Sequence, residues 1–195
     1  MISSKDIPSS GNYEKDLVAD QTYKGVNKKL NTGATWHATK GLGIDGTASS
    51  VVILAVSGGM ADCRVTATMV WGDTSGSTPS MQVCARLNTV DTPLGDQDWY
   101  CARIQTGQAR ITKIVSGTYT NITSSAFSWT AGDVIKMTLE CVGSSLAATF
   151  ENVTTAPGVL TSIVGTDSSI TAGGAIAFRT LNASMWLQYY KIEHL

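Results

Sequence analysis

Charge of either sign is scarce in this chain, and neither sign dominates: 14 Lys and Arg stand against 15 Asp and Glu in 195 residues, a net charge of -1 at pH 7. A protein that grips a phosphate backbone carries a basic stripe, so nucleic acid is not expected as a partner. Histidine is almost missing. His37 and His194 are far apart, and no Ser-His-Asp or Cys-His grouping can be built around either. Glutamate is nearly as sparse, at Glu14, Glu140, Glu151 and Glu193. Glycoside hydrolysis needs two carboxyl groups facing each other across a bond. No strand-like stretch supplies such a pair, apart from Asp96 and Asp98 on a loop-like segment, so the chain is not expected to be an enzyme.

Other absences narrow the setting. No apolar run approaches the length of a membrane span, and Met1 to Pro8 carries no apolar signal core, so synthesis in a cytoplasm without membrane insertion is expected. Cys63, Cys84, Cys101 and Cys141 form no C-x-x-C pair and fall in strand-like segments, which reads as reduced core thiols. Gly58-Gly59 and Gly173-Gly174 lack the following helix that a phosphate-cradling loop requires. Asp91, Asp96 and Asp98 share a loop with Pro93 and Gly95, where turn formation accounts for them better than a calcium site. No metal and no cofactor are expected.

What remains is a hydrophobic content of 43% in a text crowded with Ser, Thr, Gly and β-branched residues, which favours strands and turns. From Trp36 onward short runs are separated by turn-forming clusters, as in a sandwich of antiparallel strands. Cys63, Val65, Ala67, Met69 and Trp71 alternate with Arg64, Thr66 and Thr68, giving one buried and one wet face. Met81, Val83, Ala85 and Leu87 alternate in the same way against Gln82, Arg86 and Asn88. A two-residue turn at Gly143-Ser144 sets Met137 opposite Phe150, Leu139 opposite Ala148 and Cys141 opposite Leu146. The other face then pairs Lys136 with Glu151, as a surface ion pair, and Thr138 with Thr149. A second hairpin, turning at Gly107-Gln108, sets Ile104 against Ile111 and keeps Arg103 from facing Arg110. Further strands are expected at 41–44, 51–56, 118–122, 176–179 and 185–192.

The stretch from Trp99 to Gly117 resembles the concanavalin A-like, laminin G-like pattern, in which a tyrosine-bearing strand turns into one ending in a lysine-apolar-apolar step. Trp129-Thr-Ala-Gly-Asp-Val-Ile-Lys-Met, the Val142-Gly-Ser-Ser hairpin and the final strand from Met185 follow in that family's order. The resemblance runs from about Leu30 to Glu193 and implies an all-β fold, a two-sheet antiparallel jelly-roll sandwich, assigned to residues 21–195; the polar, aperiodic stretch 1–20, punctuated by Pro8 and Gly11, reads as an extended N-terminal arm. The chain has Glu151-Asn152-Val153 where the pattern has an Asp-Gly turn, so no calcium or sugar site is carried over.

Two roles are in view. The first is a structural protein of a phage virion, a capsid decoration or tail-associated subunit, whose arm docks on other virion proteins or on further copies of the chain through Ile2, Ile7, Pro8 and Tyr13. The second is a lectin-like module that stacks surface glycans on loop aromatics, with Trp99, Tyr100 and Tyr119 as the candidates.

Overall fold

In the computed structural model, the Gly143-Ser144 turn joins β10 (Val134–Val142) to β11 (Ser145–Asn152) in the register the sequence predicts: Met137 faces Phe150, Leu139 faces Ala148 and Cys141 faces Leu146. The structure describes residues 13–16, 34–37, 41–44, 51–74, 78–88 and 98–195. Every regular element among them is a strand. The earlier strands are β1 (Tyr13–Asp16), β2 (Ala34–His37), β3 (Gly41–Ile44), β4 (Val51–Met60) and β5 (Cys63–Thr74). After them come β6 (Ser80–Leu87), β7 (Trp99–Gln105), β8 (Gln108–Val115) and β9 (Thr118–Ala126). The last three are β12 (Leu160–Thr166), β13 (Gly174–Leu181) and β14 (Ala183–His194). Among the described residues no helix is long and apolar enough to cross a membrane.

Two antiparallel sheets result, one ordered β12-β11-β10-β5-β14-β3-β2 with β1 also on β14, the other ordered β4-β13-β6-β7-β8-β9. Consecutive strands β4, β5 and β6 alternate between the sheets, as do β13 and β14, so the chain closes a sandwich. The inner faces supply the core. Val65, Ala67 and Met69 of β5, Met137 and Leu139 of β10, and Tyr100, Ala102 and Ile104 of β7 are all fully buried. Each large apolar side chain withdrawn from water in this way stabilises the fold by about 1.5–3 kcal/mol.

Several expectations need correction. The turn between β7 and β8 is at Thr106-Gly107, with φ of 47° and 74°, the paired left-handed geometry of a type I′ turn. Ile104 therefore faces Ala109, and Arg103 stands directly opposite Arg110. In β6, Gln82 and Arg86 are buried, not wet, at 0% and 1% exposure. Arg86 takes a left-handed φ of 56°, which breaks the alternation and moves Leu87 into a second apolar cluster with Trp99. The Arg86 guanidinium is satisfied by the carbonyls of Ala61 (2.6 Å) and Ile170 (2.8 Å) and by the Asp62 carboxylate. Glu151 does face Lys136, but its carboxylate accepts the Gly158 N–H at 2.8 Å in place of the expected ion pair. Strand β12 was not anticipated.

Of the arm residues, Ile2, Ile7 and Pro8 lie outside the described residues, while Tyr13 belongs to β1, paired with Ile192 of β14. That stretch of the expected arm is thus a strand of the larger sheet.

Candidate functional site

The aromatics expected on a loop are not on one. Trp99 and Tyr100 open strand β7 and are 2% and 0% exposed, whereas Tyr119, on β9, is 40% exposed. Alternation along β7 sends Trp99 and Tyr100 to opposite faces of the sheet. Trp99 and Tyr119 share the outward face, since both flank Ile114 of β8 in the cross-strand register. Arg179 of β13 bridges them, its guanidinium carbon 5.4 Å from the Trp99 ring centre and 5.8 Å from that of Tyr119. It also donates to the Tyr119 hydroxyl. The structure therefore joins two of the three residues and separates the third.

Tyr100 points inward and serves as a brace. Its hydroxyl donates to Asp167 Oδ1 at 2.6 Å and accepts the Ile170 N–H at 3.0 Å. Burial, with the Asp167 carboxylate beside it, pushes the phenol up to about 12. Burial alone raises the Asp167 carboxyl, but hydrogen bonds from Lys113 Nζ (2.6 Å), Tyr100 and the Ser169 N–H (2.8 Å) outweigh it and hold the group well below the usual carboxylate range. These residues lock the approach to β13 onto β7 and β8.

Among the described residues an open concavity lies at one end of the sandwich. A pocket of about 390 Å³ is lined by Trp71 of β5, Pro79 before β6, Thr106 and Gly107 of the β7–β8 turn, and Phe127 to Ala131 between β9 and β10. Its floor is aromatic. Trp129 is half-buried, meets Trp71 edge-on with ring centres 5.4 Å apart, and lies 5.7 Å from Phe127. Ser128, Thr130 and Thr106 are exposed around it.

Hydrogen bonds fix the loop that carries Trp129. Asp133 Oδ2 accepts the Thr130 N–H at 2.8 Å and the Asn152 side-chain amide at 2.8 Å. The backbone is tied to β5 by Trp71 N–H to Asp133 C=O and Gly132 N–H to Trp71 C=O, both 2.8 Å, and to the β7–β8 turn by Phe127 N–H to Gly107 C=O at 3.0 Å. The result is a pre-formed apolar surface with hydroxyls at its edge, the usual make-up of a small-molecule site. By residue type alone, a tryptophan shortly before an apolar strand such as Val134–Val142 reads as a core anchor. The exposed Ser128 and Thr130 on either side of it were the available signal that one flank meets solvent.

Among the described residues no three His, Cys, Asp or Glu side chains group as metal ligands. Of the three loop aspartates, Asp91 and Asp96 lie outside the described residues, and Asp98 accepts the Ser116 N–H at 2.8 Å as a turn clamp.

No protein-family model matches the chain, and no curated protein matches it. Solved structures do match in shape. The carbohydrate-binding module CBM66 from Bacillus subtilis superposes with a TM-score of 0.66 at 16% identity, covering 87% of this chain and 95% of that one. A winged bean acidic lectin complexed with methyl-α-D-galactose gives 0.66 at 6% identity, covering 93% and 97%. Lectin II from Ulex europaeus gives 0.63 at 9% identity, covering 94% and 99%. At such identities the likeness is one of architecture, and the chain has the concanavalin A-like jelly-roll fold.

Proposed function

We propose that this protein is a non-catalytic saccharide-binding module and that the Trp129 pocket is its sugar seat. The observation that carries the reading is the half-buried Trp129 indole, held rigid by Trp71 and Phe127 and open to a pocket edged by hydroxyls. A pyranose presents an apolar C–H face and a polar rim, and this pocket offers the complement of both. The sugar-binding neighbours of the same architecture support the reading. Fold alone does not confer function, so the weight rests on the pocket.

The virion-subunit reading drawn from the sequence has no comparable observation behind it, and the saccharide reading replaces it here. A glycan array probed with the whole chain is the test, with hits titrated against the Trp129→Ala variant. At least a tenfold loss of affinity is expected, since a buried tryptophan anchor commonly contributes about 2 kcal/mol. An array without saturable signal, or a hit that Trp129→Ala binds as tightly as the parent, overturns the assignment.

A further inference from the structure

The outward face of the smaller sheet carries a row of side chains that the pocket does not use. Cross-strand pairing lines up Arg179 of β13 with Gln82 of β6, Gln82 with Arg103 of β7, and Arg103 with Arg110 of β8. Three guanidinium groups thus share one row. The ion pairs between described residues, Arg64 with Glu140 and Glu193, Arg86 with Asp62, Lys113 with Asp167, and Lys191 with Glu193, include neither Arg103 nor Arg110. Like charges set side by side across a sheet are destabilising.

Arg103 stands out within that row. It is 6% exposed, its Nε has no hydrogen-bond partner, and its one described companion is the Tyr119 ring, 5.0 Å from the guanidinium carbon. Arg110 is provided for differently, by the neutral acceptors Gln108 Oε1 (3.0 Å) and Gln105 Oε1 (3.3 Å). Burying a guanidinium without an acceptor is costly, and burial duly lowers the Arg103 pKa from its ordinary value. Among the described residues the other buried side-chain polar atoms without partners are Gln82 Oε1, Trp99 Nε1 and Thr112 Oγ1, on β6, β7 and β8. By register all of them belong to the outward face: Gln82 opposes Arg103, Thr112 opposes Cys101, and Trp99 is in step with both along β7. Unmet hydrogen-bonding capacity in a folded protein is sparse, so its concentration on one face marks a place where something polar belongs. Exposed Tyr119 and Asn121 give that flank an opening to solvent.

We propose that Arg103 anchors an oxyanion-binding site on the outward face of the smaller sheet, separate from the Trp129 pocket, which takes a carboxylate or sulfate group. The planar guanidinium fork suits either anion. The group arrives as a free ion or as the acid of an acidic saccharide, and the experiment separates the two.

The test is thermal unfolding of the whole chain at matched ionic strength in sodium chloride, sodium sulfate, sodium glucuronate, galactose 6-sulfate and neutral galactose. Sulfate or glucuronate at a tenfold excess over Kd is expected to raise the Tm of the parent by roughly 3 °C. Arg103→Gln is expected to lose that shift, and Trp129→Ala to keep it. Arg103→Lys keeps the charge without the fork and is expected to weaken the shift severalfold; it reads the site if Arg103→Gln does not fold. At equal concentrations, a larger shift with galactose 6-sulfate than with sulfate assigns the site to acidic saccharides, and an equal or smaller one assigns it to the ion. Absence of any anion-specific shift in the parent, or the same shift in Arg103→Gln, overturns the proposal.

Discussion

The indole of Trp129 meets that of Trp71 edge-on, ring centres 5.4 Å apart and planes at 70°, so that one ring closes the core while the other faces the pocket. Trp71 is 3% exposed and Trp129 is half-buried. Truncating them should therefore have different consequences. Trp71→Ala leaves a cavity between the sheets and is expected to cost about 3–5 kcal/mol in urea unfolding. Trp129→Ala is expected to cost about 1–2 kcal/mol, because part of its surface already meets water. If the two losses are equal, Trp129 is a core residue and the pocket loses its rigid platform.

The Asp167 brace makes the fold sensitive to pH at both extremes. A carboxyl held below its unfolded value contributes stability that is present above about pH 4 and lost as pH falls towards its folded value. Asp167→Asn is therefore expected to be less stable than the parent by about 2 kcal/mol at pH 7. The difference should shrink steadily below pH 4. Tyr100 works in the opposite sense. Its phenol is raised to about 12, so its contribution is complete below about pH 10 and is lost as pH rises through the folded value. Tyr100→Phe should flatten that alkaline limb. Urea midpoints measured across the pH range check both, and an Asp167→Asn deficit unchanged at pH 3 removes the carboxylate from the account.

Much of this architecture is legible in the chain where one face is dry and the other wet. The alternation of Cys63 to Trp71 and the double-faced match of Val134–Val142 with Ser145–Asn152 each admit one register, and both are found. Legibility fails where a face is hidden for another reason. Gln82 and Arg103 look like solvent positions by residue type yet are 0% and 6% exposed. Strand β12 escapes notice because only Ile163 of its seven residues is buried, while Leu160 and Val164 are 59% and 73% exposed, so the apolar residues follow no period of two. The left-handed Arg86 inserts a half-step into β6 that no propensity marks. The pocket is hidden from the sequence for a related reason: a tryptophan reads as core by type, and only tertiary packing leaves one flank of Trp129, between β9 and β10, open.

Gly143 offers a clean measure of backbone strain. Its φ is 54°, and a Cβ added there would meet nothing within 4 Å, so a side chain fits sterically and only the backbone objects. Gly143→Ala is expected to destabilise by about 1 kcal/mol, and Gly143→Asn by less, since asparagine tolerates the left-handed region. Chemical denaturation of the two variants checks the order. Equal losses would mean that the Gly143 N–H bond to Asp62, 2.9 Å long, dominates the turn, and not its φ.

The four cysteines form two cross-strand pairs, Cys63 opposite Cys141 between the sheets and Cys84 opposite Cys101 on the outward face of the smaller sheet. All are buried thiols. Burial pushes the Cys84 thiol up, and the hydrogen bond to Cys63 together with burial does the same for Cys141, so neither presents a ready thiolate. Because all four thiols are at most 2% exposed, a chromogenic disulfide reagent should find no fast-reacting thiol in the native protein, and all four after unfolding in guanidinium. The slow native reaction should divide into two classes. Cys63 and Cys141 sit in the main core and wait for global unfolding, whereas Cys84 and Cys101 belong to the smaller outward cluster around Trp99, where a local opening suffices. Mass mapping of the first labelled peptides is expected to recover Cys84 and Cys101. Sulfate at saturating concentration should slow their labelling while leaving Cys63 and Cys141 unchanged, because an anion seated at Arg103 rests on that same layer. Labelling of all four in a single step at the global unfolding rate would show that the outward layer opens only with the core, and then an anion must reach Arg103 past Tyr119 without any loosening of the sheet face.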